Sequence, residues 1–177
     1  MAFGIGVKAR GDDARRLRDY WDRFGQFEQT PSMARLNYPP HITLAVYDRI
    51  DERQLRCTLT TVFAGHGALR LRFNKLAFFG APKLVFWANP EPSEPLLRAH
   101  TAIHRLIEPA LCQEYYRPGA WAPHCTIATE VTADNRAPAA ALAAETIEPF
   151  DVIFDAADCV EFLPVRVIEE CALTAPQ

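Results

Sequence analysis

Pro40-His41-Ile42-Thr43-Leu44-Ala45 and Pro123-His124-Cys125-Thr126-Ile127-Ala128 are one six-residue frame written twice, P-H-x-T-aliphatic-A. A lone H-x-T says little; the longer frame, found twice at corresponding places, carries weight. Side chains alternate along a strand, so His41 and Thr43 project to one face, about 6.5–7 Å apart along the chain. Ile42, Leu44 and Val46 then point the other way, into a core. Cys125 and Ile127 stand in the same relation behind His124 and Thr126. The proline before each histidine restricts how the chain enters the strand.

The flanking sequence repeats too. Residues 3–9 read as a strand, and Asp12 can cap a helix with Leu17, Tyr20, Trp21 and Phe24 at i, i+3, i+4 and i+7. A turn-rich loop leads to the first frame, whose strand spans 41–47. A second helix carries Leu55, Leu59, Val62 and Phe63 and ends near Gly65, and a strand follows over 68–79. The plan then recurs. A strand at 83–89 precedes a helix opened by Ser93, and a loop leads to the second strand at 124–131. An alanine-rich helix near 137–145 and strands near 150–155, 158–163 and 166–173 complete the chain. The expected architecture is α+β: a duplicated, pseudo-symmetric bilobal fold with antiparallel sheets lining a central cleft and helices outside. It is one domain over residues 1–177, with halves of roughly 1–80 and 83–177 joined near Gly80–Lys83.

The 177 residues include 49% hydrophobic and 23% charged side chains, the balance of an ordinary globular protein. A net charge of -3 argues against a broad basic nucleic-acid surface but leaves room for a pocket that grips one phosphate. No apolar run approaches the roughly 20 residues of a membrane span, and the start of the chain reads as a strand, not a leader. Cys57, Cys112, Cys125, Cys159 and Cys171 are odd in number and form no C-x-x-C pair. A cytoplasmic monomer is expected.

Two facing H-x-T strands bring two imidazoles and two hydroxyls around one small volume. That set suits in-line attack on a phosphodiester: a neutral histidine takes a proton from the attacking oxygen and a protonated one supplies the leaving oxygen. Histidine serves both jobs because its ordinary pKa, about 6.5, keeps both forms accessible near neutrality. The threonine hydroxyls can donate to non-bridging phosphate oxygens. The arrangement calls for no metal or other cofactor. The plain alternative is a pair of satisfied, half-buried strand histidines.

The sequence resembles the two-histidine phosphoesterases, in particular their 2'-5' RNA ligase-like and cyclic phosphodiesterase branch. YPPHITLAVYD is similar to the family's first motif region and YRPGAWAPHCTIAT to its second. LAFFGAPKLVFWAN and FDVIFDAADCVEFLPVRVIEECAL are similar to its middle and closing strands. The resemblance implies His41 and His124 as the acid/base pair and Thr43 and Thr126 as phosphate ligands, with no metal. Implied substrates are cyclic phosphates on nucleotides, RNA ends or ADP-ribose, and 2'-5'-linked oligonucleotides. The alternatives are a 2'-5' RNA ligase or nuclease, and a silent binder of nucleotides or RNA ends. Many ligase-like members carry an arginine soon after the second motif, where this chain has Ala128-Thr129-Glu130.

Other residues compete for notice. His100 and His104 have the i, i+4 spacing of a metal pair on a helix, set against a plain packing role. His66, between Gly65 and Gly67, reads as a turn residue. Tyr38, Tyr115, Tyr116 and Trp121 are expected at the cleft rim, where rings stack on bases, and Phe86 and Trp87 in the core. Arg117 and Lys83 are the nearest extra phosphate ligands, and Arg15–Asp19 reads as the wet face of the first helix.

Overall fold

The structure, a computed structural model, describes residues 2–80 and 84–174. Eight strands form one antiparallel sheet: β1 (Ala2–Lys8), β2 (His41–Tyr47), β3 (Leu69–Phe79), β4 (Val85–Pro90), β5 (Cys125–Ala128), β6 (Phe150–Phe154), β7 (Ala156–Phe162) and β8 (Arg166–Ala172). Five α-helices cover it: α1 (Arg15–Gly25), the single turn α2 (Ser32–Arg35), α3 (Glu52–Phe63), α4 (Glu94–Leu106) and α5 (Arg136–Ala143). Among the described residues no helix is long and apolar enough to cross a membrane.

Local chemistry sets the element ends. Asp51 accepts from the Arg53 amide at 2.9 Å and starts α3. Ser93 caps α4, with Pro95 in its first turn. Strand β5 stops at Ala128, short of the expected residue 131, because the Glu28 carboxylate takes the Thr129 and Glu130 amides at 2.9 and 2.7 Å. The turn α2 falls where the sequence suggested only a loop; the same carboxylate binds the Ser32 amide at 2.8 Å.

The sheet order is β6-β3-β4-β5-β2-β1-β7-β8. It reads as a palindrome about its centre: β5 matches β2, β4 matches β1, β3 matches β7, and β6 matches β8. Chain halves and sheet halves therefore differ. β3, from the first copy, pairs with β4 and β6, while β7 and β8 stack outward from β1. The helices cross over as well. From α1, Phe24 packs on Phe86 of β4 (5.1 Å between ring centroids) and Tyr20 on Phe150 of β6 (6.2 Å). α4 packs against β2 and α3, and α3 covers β7 and β8. Residues 81–83, where the junction between copies was expected, lie outside the described residues.

The two sheet halves meet at one residue pair, Ile42 with Cys125. Both side chains are fully buried in the core, with Leu44, Ile127, Leu17 and Phe24 around them. Each large apolar side chain buried there contributes about 1.5–3 kcal/mol. The core thus holds both motif strands from behind and leaves their other faces on the cleft.

Candidate active site

The Ile42–Cys125 pairing fixes the site's geometry. In an antiparallel register it carries His41 opposite Thr126 and Thr43 opposite His124, so the two histidines lie on one diagonal and the two threonines on the other. All four side chains are half-buried on the cleft face, as the alternation required. Cys125 points behind, its thiol pushed up to about 12 by burial, so it is a core residue and no nucleophile.

Both imidazoles are set by the same local device. His41 Nδ1 donates to the Pro39 carbonyl at 2.9 Å, and His124 Nδ1 donates to the Ala122 carbonyl at 2.8 Å. Each acceptor precedes a proline, which confines that residue to extended backbone. With Nδ1 occupied, Nε2 is the ring nitrogen left for a ligand. Burial lowers the pKa of His41; the Pro39 carbonyl and Asp158 offset this, and the charges of His124 and Lys8 reinforce it. Burial also lowers His124, against the Ala122 carbonyl. The two rings are close enough for the charge of one to disfavour charge on the other.

The strand carbonyls beside the threonines are held by matching tryptophans. Trp121 Nε1 donates to the Thr43 carbonyl and Trp21 Nε1 to the Thr126 carbonyl, each at 3.0 Å. The strands leave the ladder one residue past their single pair, and the indoles satisfy the freed oxygens.

Beyond these shared features the halves differ. Beside His41, Asp158 lies nearly inaccessible, gripped by Lys8 at 2.6 Å and by the Tyr38 hydroxyl at 2.6 and 2.7 Å. The Tyr38 ring meets His41 edge-on at 4.9 Å. Beside His124 stand Phe79 and Trp87, 5.5 and 5.8 Å from the imidazole and stacked on one another. A pocket of about 440 Å³ opens there, bordered by Phe79, Val85, Tyr115, Tyr116 and Thr126. Against His41 itself the enclosed space is about 10 Å³, lined by Gly4, Gly6, Tyr38, Asp158 and Phe162.

The model of the 2'-5' RNA ligase superfamily matches residues 10–165. The chain belongs to that superfamily, a group of two-histidine phosphoesterases. Solved structures repeat its fold at low identity. TT0787 of Thermus thermophilus is 19% identical, with a TM-score of 0.64 over 100% of both chains. E. coli LigT, complexed with 3'-AMP, is 11% identical, with a TM-score of 0.63 over 97% of both. Usb1 of Kluyveromyces marxianus is 10% identical, with a TM-score of 0.52 over 97% of this chain and 98% of the other. No curated sequence matched.

Within this superfamily member the remaining candidates separate cleanly. Tyr38, Tyr115 and Tyr116 do stand at the cleft, but Trp121 does not: it stacks on His100 at 4.1 Å, with 4° between the planes. His100 and His104 both direct Nε2 at the Tyr116 carbonyl, at 2.9 and 3.0 Å, and so hold the loop before the second motif. Arg117 is spent on the Cys112 and Ala110 carbonyls. Lys83 lies outside the described residues. His66 bonds the Gly67 carbonyl in its turn, and Phe86 is core. Trp87 is buried as expected, yet it pairs with Thr126 across the ladder and so shares the cleft face.

Sequence reasoning passed over Lys8, Asp158, Trp21 and Phe79. A charged residue closing the apolar strand at 3–9, and another inside 156–160, were the available signals.

Proposed function

We propose that this chain is a metal-independent phosphodiesterase that hydrolyses a cyclic or 2'-linked phosphodiester on a nucleotide or RNA end. His41 and His124 exchange the protons, and Thr43 and Thr126 donate to the phosphate oxygens. One observation carries the reading: two imidazoles on one diagonal of a four-residue cluster, each with Nδ1 tied to a backbone carbonyl and Nε2 left for a ligand. Water attacks phosphorus as one Nε2 takes its proton. The P–O bond to the leaving sugar oxygen breaks as the other Nε2 protonates that oxygen, and solvent exchange restores both rings.

Superfamily membership supports the chemistry, and E. coli LigT has been solved with 3'-AMP and with phosphate. The aromatic pocket beside His124 supports a nucleotide. Phe79 and Tyr115 offer ring faces, and base–aromatic stacking is worth about 1–3 kcal/mol. The test is turnover of 2',3'-cyclic nucleotides in the presence of a chelator. His41→Ala and His124→Ala should each lower kcat by roughly 10²–10⁴. Full activity in either variant removes the mechanism. Turnover confined to 2'-5'-linked oligonucleotides, or joining of RNA ends, would assign the alternative chemistry to the same four residues. Saturable nucleotide binding without product at any pH would make the protein a binder.

A further inference from the structure

The sheet's internal symmetry lets each histidine be compared with its counterpart. Gly6 pairs with Thr43 on one side and Asp158 on the other; in the matching half Trp87 pairs with Thr126 and with Ala77. Where the His41 half places the Asp158 carboxylate, the His124 half therefore places a methyl group. Where the His41 half leaves a glycine, the other half sets an indole against the imidazole.

Among the described residues, the charges behind His41 form one network, with Arg18 standing at the rim beside Tyr38 and Pro40. Asp158 and Glu170 grip Lys8 at 2.6 and 2.5 Å, and Arg10 joins Glu170 at 2.7 Å to Asp155 at 3.1 Å. Two cations thus face three carboxylates, an excess of one negative charge at full ionisation. The Tyr38 hydroxyl donates to Asp158, and across the cleft the charge of His124 also bears on His41. Asp158 is 1% exposed and Lys8 4%, so solvent screens the set weakly. Among the described residues, the rings packed on the His124 imidazole are those of Phe79 and Trp87.

We propose that Asp158, clamped by Lys8 and Tyr38, is a positioning residue that keeps the shared proton on His41, making His41 the proton donor to the leaving oxygen and His124 the acceptor from water. This rests on the phosphodiesterase reading above and gives it a direction. Two neighbouring imidazoles resist holding two protons, so a single proton divides between them according to local charge. The buried carboxylate stabilises an imidazolium at His41. The aromatic walls at His124 supply no carboxylate, so a proton is held less firmly there than beside Asp158, and a neutral Nε2 is ready to take one.

The test compares a 2',3'-cyclic nucleotide with a nucleoside 3'-(4-nitrophenyl phosphate), whose leaving group departs without a proton. On the cyclic substrate His41→Ala, His124→Ala and Asp158→Asn should all lose at least about tenfold in kcat. On the nitrophenyl ester His41→Ala and Asp158→Asn should stay within a few-fold of wild type, while His124→Ala loses about 10²-fold or more. Asp158→Asn should also move the alkaline limb of kcat/KM to lower pH, since an imidazolium that has lost its carboxylate gives up its proton sooner. Tyr38→Phe removes one hydroxyl from a retained carboxylate and should move that limb to higher pH, a check that survives if the buried Asp158 variant folds poorly. The opposite pattern on the nitrophenyl ester, with His41→Ala inactive and His124→Ala spared, overturns the assignment while leaving the phosphodiesterase intact. So does a profile in Asp158→Asn that loses height without moving. If neither histidine matters for either substrate, the phosphodiesterase reading itself fails.

Discussion

His41 and His124 each give their Nδ1 proton to a carbonyl two residues back, and that pair of bonds leaves two matching Nε2 atoms for the acid and base of the proposed reaction. Burial holds both below the ordinary value of 6.5, so the bell of kcat/KM against pH should be centred on the acid side of that value. A stopped assay across pH 4–9, roughly the range over which a perturbed pair titrates, would show it; a bell centred on the alkaline side would contradict it. On the proposed mechanism Thr43→Ala and Thr126→Ala each remove one hydroxyl donor to the phosphate. A hydrogen bond to a charged group is worth about 1.5–3 kcal/mol, so each variant should lose roughly 10- to 100-fold in kcat/KM. The threonines were legible because strand alternation is covalent geometry. The carboxylate under His41 was not: Asp158 lies 120 positions from the Tyr38 it binds, and nothing local announces that meeting.

At the level of elements, β1 shows how a strand makes room for a cleft. A Cβ on Gly6 would sit 2.9 Å from the Ile42 carbonyl oxygen, against backbone, whereas a Cβ on Gly4 would meet the Phe162 ring at 2.7 Å, against a side chain that can turn. Gly6→Ala should therefore cost more than Gly4→Ala, within the roughly 1–3 kcal/mol of overpacking, as read from urea midpoints. Equal midpoints would show that β1 yields as easily as Phe162. Helix α1 is the other test. Phe24 is fully buried against Phe86 and Phe27, so Phe24→Ala should cost about 3–5 kcal/mol. The apolar spacing of α1 revealed which face it buries. It did not reveal that the face packs on β4 and β6, because amphipathicity names a buried face and never its partner.

For the molecule as a whole, acid should unfold it through its buried histidines. His100 and His104 have lowered pKa values, chiefly from burial, with their rings 4.6 Å apart. With Nε2–H given to Tyr116, His104 Nδ1 is buried without a hydrogen-bond partner, and protonating it would strand a donor there. A folded pKa below the unfolded 6.5 means the unfolded chain binds protons first as pH falls. Stability is therefore full above that value and drains away below it, by up to about 1.4 kcal/mol per pH unit for each histidine, until the folded pKa is reached. The fall in Tm between about pH 7 and 5 should be shallower in His100→Gln, with its single remaining partner, than in wild type. Because this pair holds the Tyr116 carbonyl and stacks on Trp121, which holds Thr43, the same acid that loosens the loop should disturb the site.

The sequence alone determined the two P-H-x-T frames, the faces their side chains take, the strand–helix repeat and the globular composition, because each follows from bonding and periodicity within a few residues. Tertiary structure alone decided that β3 leaves the first copy to join β4 and β6, that Trp21 and Trp121 cap the threonine carbonyls, and that Asp158 and Lys8 come together beside only one histidine. Those outcomes depend on which surfaces pack best across the whole chain, a competition between distant segments that no short window of residues contains.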